Sequence, residues 1–475
     1  MMLHSLDSPR APAQPSSARR AGAPGAATAY PLVNHHDLAT PIAWRRDRVH
    51  SVEEFLCAAQ RLAASLPRAR FAINLCRDRY HFAVGFAAAM LARQISLLPT
   101  YRAAEPLEQL ARQHPGAYLL TDMDEGETSI PRFCFGSEIL AQSSAEELPV
   151  IPADRIAAIA FTSGSSGLPQ AHAKSWGSLV LGAQALGRQF DLTHAAPRVA
   201  VGTVPAQHMY GLETTIMLPL QWGWSLHAGN SILPADIRAD LEHLESPAWL
   251  MTTPFHLKAL LSEQRMLSGL EGIISATMPL DRSIALGAER DWQVPVHEIY
   301  GCTEGGMLAS RRTTAGEAWT LCHDLRMRHS GETAWVMGGH VGAWLQLADR
   351  IKLRNQRQFL LLGPNRDLVK VAGKRASLTA LNEALNRIPG VVDGTFYCPD
   401  PGPAGSGRLR AFAVAPGLTR GAILAELRTR IDPVFLPRPL YLVDALPRNQ
   451  TGKLPYEHLK TFARHIMHPQ RQAHE

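Results

Sequence analysis

Between residues 70 and 299, short apolar runs alternate with stretches of helical period, and this alternation constrains the fold more than any other feature of the chain. The run at 70–76 predicts a buried strand, 81–93 a helix and 95–98 a second strand. Further strands are predicted at 117–121, 156–161, 199–204, 249–252, 272–277 and 296–299, with a helix at 175–190. Near-continuous apolar strands separated by helices belong to parallel sheets covered on both faces. The expected class is therefore α/β. Ser51-Val52-Glu53-Glu54 adds a capping-box signature that predicts a helix over 51–65.

A chain of 475 residues exceeds what one compact core accommodates. The pattern changes after about residue 362, at the turn cluster Gly363-Pro364-Asn365-Arg366-Asp367. Beyond it come a strand at 368–372, a helix at 379–387, a strand at 409–415, a helix at 420–431 and a strand at 440–443, which together predict a small α+β unit. The expected organisation is a disordered tail over 1–30, a large domain over 31–362 and a small domain over 363–475. The tail is rich in Ala, Pro, Ser and Arg and lacks the apolar core of a secretory signal.

Composition excludes several classes. The best candidate membrane span, 82–91, is interrupted by Gly85 and stopped by Arg93, so no bilayer crossing is expected. The six cysteines are scattered, without a CxxC pair or metal-ligand spacing, and read as reduced thiols of a cytoplasmic protein. A net charge of +6 comes from dispersed arginines, with no basic stripe interleaved with aromatics, so a nucleic-acid partner is not expected. Arg428, Arg430, Arg438, Arg448, Lys453 and Lys460 do enrich the C-terminal region in cations, which suits an acidic partner such as a carrier protein.

Two segments stand out chemically. Thr162-Ser163-Gly164-Ser165-Ser166-Gly167 follows an apolar strand and precedes an amphipathic helix; its four hydroxyls and its glycine-opened backbone N–H groups form a cradle for anions. It lacks the Walker spacing. A flexible linker is the bland alternative, but linkers rarely sit between a buried strand and a helix of one domain. The second segment, Pro447-Arg448-Asn449-Gln450-Thr451-Gly452-Lys453-Leu454, presents Lys453 on a turn after the apolar run 440–446. Taken singly, Lys453 is a solvated cation, Thr303-Glu304 a helix N-cap with a first-turn carboxylate, Asp349 a turn residue after the apolar run 343–347, and His208 a packed histidine.

Taken in order, these segments resemble the adenylate-forming (AMP-binding) superfamily of acyl-CoA synthetases, aryl acid ligases and peptide-synthetase adenylation domains. Phe161 to Pro169 is similar to its phosphate loop, Tyr300-Gly301-Cys302-Thr303-Glu304 to its Tyr-Gly-x-Thr-Glu motif, Asp349-Arg350 with Lys370 to Arg375 to its ribose and hinge region, and the Lys453 turn to its terminal lysine loop. The resemblance spans residues 71–454. It implies a large ATP- and acid-binding domain with parallel-sheet subdomains and a small mobile C-terminal domain. It also implies roles. Thr162, Ser163, Gly164, Ser165, Ser166 and Gly167 would hold the β- and γ-phosphates. Thr303 would contact the α-phosphate, Glu304 would bind Mg²⁺, and Tyr300 with Gly301 would sit against adenine. Asp349 would hold the ribose hydroxyls, and Lys453 would bridge the substrate carboxylate and the α-phosphate.

The chain departs from the family at three places. Gln170 and Ala171 replace the usual lysine and glycine after the loop proline, leaving Lys174 as the nearest cation: either it substitutes or that phosphate contact is missing. Pro364 follows Gly363 where the hinge usually carries arginine, so Arg366 is the candidate ribose arginine and Arg366 or Asp367 the pivot. Thr277 and Met278 replace a glycine and an alanine beside the substrate, and with His208 and Tyr210 they would bound a narrowed pocket for a compact, planar acid. The segments 170–176 and 371–378 are similar to those of aryl polyene and xanthomonadin pathway ligases, which load small aryl acids onto a carrier protein.

The resemblance thus implies ATP-dependent activation of a small carboxylic acid such as a hydroxybenzoate, followed by transfer to a phosphopantetheine thiol. Too few residues follow the lysine turn for a built-in carrier domain, so the acceptor would be CoA or a separate acyl carrier protein. Two other readings stay open: an adenylating enzyme with an amine or alcohol acceptor, and a catalytically weak nucleotide-binding regulator, the latter suggested by Gln170 and Pro364.

Overall fold

The computed structural model describes residues 28–123, 128–136, 148–163, 169–192, 198–229, 231–330, 333–364, 368–371, 374–399, 409–449 and 452–467. The expected class is present: α/β, with parallel-sheet regions.

One sheet has six strands in the order Pro169–Ser175, Ile156–Ser163, Ile95–Leu98, Phe71–Asn74, Tyr118–Thr121 and Arg132–Cys134. All neighbours are parallel except the first pair. The crossover helix Arg79–Leu91 is buried along nearly its whole length, which is why its sequence is apolar on every face rather than along one stripe. The capping box expected at Ser51 forms as read: its hydroxyl accepts from Glu54 N, and the Glu54 carboxylate accepts from Ser51 N, opening the helix Val52–Ser65.

The second sheet has eleven strands. Its centre is parallel, running from Val296–Cys302 through Leu270–Ser275, Ala248–Thr252, Val199–Gly202 and Ser225–His227 to Pro41–Trp44. Antiparallel strands extend it beyond Val296–Cys302: Gly306–Arg312, Trp319–Leu321, Gln358–Pro364 and Asp349–Leu353. Towards the C-terminus, Asp393–Tyr397, Arg410–Val414 and Leu440–Leu442 form a three-stranded sheet packed with the helices Leu378–Asn386, Arg420–Arg430 and Tyr456–Met467. It has an apolar cluster of its own around Leu385, Phe396, Ala411 and Leu427. Among the described residues, no helix is long and apolar enough to cross a membrane.

The structure corrects four expectations. Residues 1–27 of the expected tail lie outside the described residues, and Ala29–Pro31, at the end of that stretch, is a strand paired with Val150–Pro152. The segment after the Ser/Gly run is a strand antiparallel to the one before it, with Ser163 opposite Pro169, and the helix starts only at Trp176 behind a Ser175 cap. Gln170-Ala171-His172-Ala173-Lys174 alternates polar and small residues with the period of a strand. Thr303-Glu304 caps no helix; it lies in the turn between the antiparallel strands Val296–Cys302 and Gly306–Arg312. Asp349 opens the strand Asp349–Leu353 rather than sitting in a turn, and of the apolar run 343–347 before it only Leu345–Gln346 is a strand.

Candidate active site

A cavity of about 650 Å³ lies between the large sheet and the C-terminal elements. His208, Met209, Tyr210 and Glu213 form one wall, Thr277 and Met278 another, the strand end from Tyr300 to Thr303 with Asp349 a third, and Ser377, Thr379, Glu383 and Lys453 come from the C-terminal side. A second cavity of about 470 Å³ shares His208, Met209, Thr303 and Lys453 and continues past Tyr101, Arg102, Thr162 and His458.

Tyr300 sits near the end of a parallel strand, its ring tilted against Trp319 and edge-on to Phe359. Its hydroxyl donates to Asp349 Oδ2 at 2.8 Å. Burial, followed by the Asp349 charge, pushes the Tyr300 pKa far up, so it remains a phenol and a hydrogen-bond donor. The bond links two strand ends and holds Asp349 at the cavity edge.

A polar chain runs across the hairpin strands to the Thr303-Glu304 turn. Thr162 Oγ1 lies 3.1 Å from His172 Nε2, which lies 3.6 Å from Glu304 Oε1. Two residues along the same strand, Lys174 is buried and donates from Nζ to the Glu304 carbonyl oxygen at 2.6 Å. Lys174 lines neither of these two cavities. Its cation therefore braces the turn that carries Thr303 and Glu304. Burial lowers its pKa, and the Glu213 and Glu304 charges pull it back. Ser163 closes the preceding strand. Gly164, Ser165, Ser166, Gly167 and Arg366 lie outside the described residues.

His208 caps the short helix Met209–Leu212, its Nδ1 accepting from Tyr210 N at 3.3 Å. Burial, then the Lys453 charge, drives its pKa down to about 3, so it is neutral. The Tyr210 hydroxyl is engaged with the Ile274 carbonyl at 2.7 Å, so Tyr210 offers the cavity its ring. Thr277 has a φ of 79°, a left-handed conformation that is costly for a β-branched residue and free for a glycine. Met278 lines the cavity and also touches the lysine turn, its Sδ 3.5 Å from Arg448 Nη1.

The lysine turn is built from its own polar atoms. Asn449 N donates to Lys453 O at 2.8 Å, Gly452 N to Asn449 O at 2.9 Å and Lys453 N to Asn449 Oδ1 at 2.9 Å. Arg448 grips both Asp393 oxygens at 2.7 Å and reaches Gly452 O at 2.8 Å. The Lys453 side chain opens onto both cavities, yet protein atoms crowd it enough to lower its ammonium pKa by desolvation.

Glu304 fits a Mg²⁺ role. Its carboxylate is partly open, and Mg²⁺ commonly takes one or two carboxylates together with substrate phosphates. Among the described residues, no group of three or more His, Cys, Asp or Glu could hold a metal unaided.

Two residues escaped sequence reading. His172 had a signal, since it shares a strand face with Lys174 at a spacing of two. Glu213, buried at 5% exposure inside an apolar helical run, accepts from Met307 N at 3.2 Å across 94 residues, a contact no local pattern reveals. Burial pushes its pKa up to about 7 against the pull of Lys174 and of the Met307 N–H.

A family profile described as "AMP-binding enzyme" matches residues 42–360. The chain is 29% identical over 305 residues to a 4-coumarate–CoA ligase of Rhodobacter capsulatus, covering 62% of this chain and 74% of that protein. It is 22% identical over 391 residues to a 4-hydroxybenzoate–CoA/benzoate–CoA ligase of Rhodopseudomonas palustris, covering 73% and 72%. Among solved structures, ATP-bound MatB of Rhodopseudomonas palustris superposes with a TM-score of 0.77 at 18% identity, covering 91% of this chain and 97% of that one. O-succinylbenzoate CoA synthetase of Bacillus subtilis, solved with ATP and magnesium, gives 0.76 at 18% identity, covering 89% and 96%. At such identities the structures establish the shared fold.

Proposed function

The chain belongs to the AMP-binding enzyme family as an AMP-forming acid–thiol ligase, and on that premise we propose a small aryl acid, such as a hydroxybenzoate, as its substrate. A carboxylate oxygen attacks the α-phosphorus of ATP, giving the acyl-adenylate and releasing pyrophosphate. A phosphopantetheine thiol of CoA or of a separate carrier protein then attacks the acyl carbon, forming the thioester while AMP leaves. The proposed setting is the cytoplasm.

The observation that carries this reading is the convergence of Lys453, Thr303, His208 and the Tyr300–Asp349 pair on one cavity. In the proposal, Asp349, oriented by the Tyr300 hydroxyl, accepts from the ribose hydroxyls, with Arg366 as a further ribose ligand. Tyr300 and Gly301 border adenine, and Thr303 donates to the α-phosphate. The hydroxyls of Thr162, Ser163, Ser165 and Ser166 hold the β- and γ-phosphates. Glu304 holds Mg²⁺, which when bound offsets phosphate charge and eases departure of pyrophosphate. Lys174 acts on this group indirectly, through the Glu304 carbonyl. Lys453 places its ammonium between the two reacting anions, where charge builds in the transition state. The thiol step needs that position vacated, so the small domain over 363–475 is proposed to rotate about residues 363–367.

The aryl preference is supported by relatives named as ligases of coumarate, hydroxybenzoate, benzoate and chlorobenzoate, and by the bulk of Thr277 and Met278 along one wall. The test is acid-dependent exchange of labelled pyrophosphate into ATP, using benzoate, 4-hydroxybenzoate, cinnamate, 4-coumarate and short aliphatic acids. Exchange with aryl acids is expected; silence across the whole panel sinks the ligase reading. Mass spectrometry after adding CoA or a phosphopantetheinylated carrier protein identifies the acceptor.

A further inference from the structure

Glu213 is a carboxyl placed where the surrounding chain is uniformly buried and mostly apolar. Leu212, Ile216, Met217 and Leu218 are fully buried around it. Thr214 and Thr215, its polar neighbours, direct their hydroxyls to the carbonyls of Tyr210 and Gly211, each at 2.7 Å. Glu213 instead faces the cavity that Lys453 enters from the other side. It opens a single π-helical turn, Glu213–Met217, and isolated π turns are rare insertions that occur frequently at functional sites.

The surroundings are built to receive this carboxyl. Gly306 has a φ of 70°, and a Cβ there would stand 2.2 Å from Glu213 Oε1. The missing side chain lets the strand backbone approach, and Met307 N donates to Oε1 at 3.2 Å. A carboxylate has about four acceptor positions, and this N–H fills one of them. The charge of the buried Lys174 offsets part of the cost of burying this carboxyl, while its ammonium donates to the Glu304 carbonyl; an apolar residue of similar volume would pack there more cheaply unless the carboxyl also meets a donor during the reaction.

We propose that Glu213 is the specificity-determining residue of the acid site, pairing with a hydrogen-bond-donating substituent, a hydroxyl or amino group, on the acyl portion of the substrate. The two ends of the acid are then read by different elements: its carboxylate by the lysine turn, and its donor substituent by the π turn. An acid lacking the donor leaves the buried Glu213 carboxyl under-paired, and sites built around a substrate hydrogen bond reject such analogues strongly. This assignment rests on the acid-activating reading given above.

The test measures kcat/KM for pyrophosphate exchange on matched pairs: benzoate with 4-hydroxybenzoate, 3-hydroxybenzoate and 4-aminobenzoate, and cinnamate with 4-coumarate. For the unmodified protein, at least one donor-bearing acid is expected to exceed its unsubstituted partner by about tenfold or more. In Glu213→Leu that ratio is expected to fall towards one; Glu213→Gln, which keeps an acceptor oxygen, is expected to lie between. Exchange by the unmodified protein that ignores the substituent overturns the assignment while leaving the ligase reading intact, and this arm needs no variant to fold. A Glu213→Leu protein that keeps the full preference overturns it as well. Silence with every acid removes the ligase reading and this assignment together.

Discussion

Two lysines serve the same corner of the molecule and are held in opposite ways. Lys174 is buried in a strand of the six-stranded sheet, with its ammonium on the Glu304 carbonyl and the Glu213 charge acting on it. Lys453 arrives on a turn that carries hydrogen bonds within itself, and four described contacts join this C-terminal side to the large sheet side. Gly452 packs against Phe255, Arg448 approaches Met278, Arg387 pairs with Asp281 at 3.1 Å, and Lys258 donates to the Val392 carbonyl at 2.7 Å. A cation built into the sheet suits permanent bracing. One delivered on a preformed turn of the C-terminal unit suits the arrival and departure proposed for it.

The sharpest way to break this contrast is Lys453→Ala. It should lower acid-dependent pyrophosphate exchange by about 10²–10³-fold, the scale for losing one preorganised charge at a transition state, with ATP binding changed by less than about threefold. Equal losses in rate and ATP affinity would make Lys453 a binding residue and erase the distinction. Next in size is Gly306→Ala, which sets a Cβ against Glu213 at a positive φ. It should cost about 2–3 kcal/mol, read as a Tm lower by roughly 5 °C. An unchanged Tm would mean that the wall yields. Lys174→Met should come third, raising the KM for MgATP by about tenfold through a loosened Thr303-Glu304 turn, with a smaller effect on kcat than Lys453→Ala. The smallest effect belongs to the interface: Asp281→Ala or Arg387→Ala removes a pair in which Arg387 is 56% exposed, and exchange should fall by less than about fivefold, with the larger loss at low salt. A larger loss would show that the docked position of the turn hangs on that pair.

What the sequence revealed, and what it hid, follows the same division. The parallel strands were readable because burial on both faces makes them continuous apolar runs, such as Ala248–Thr252 and Tyr118–Thr121. Taken singly, Thr303-Glu304 reads as a helix cap because the strand that folds back over it, Gly306–Arg312, follows after one residue and no local pattern separates a turn of this kind from a first helical turn; only motif order gives the pair its other reading. The hairpin strand Pro169–Ser175 did alternate, but its short small-residue positions resembled a loop. Tyr300, Asp349 and Lys453 were legible as candidates through motif order, yet the bond joining Tyr300 to Asp349 spans 49 residues and only the sheet reveals it. Glu213 was invisible for a similar reason, and Arg366 with Gly164 to Gly167 lies outside the described residues.

Lys453 lines both cavities, together with His208, Met209 and Thr303. Its side chain thus borders two chambers at once, and whatever occupies either one meets the same ammonium. Under the proposed mechanism, the group that serves the first half-reaction would also have to clear the way for the second, so that acid before thiol would follow from the position of one side chain.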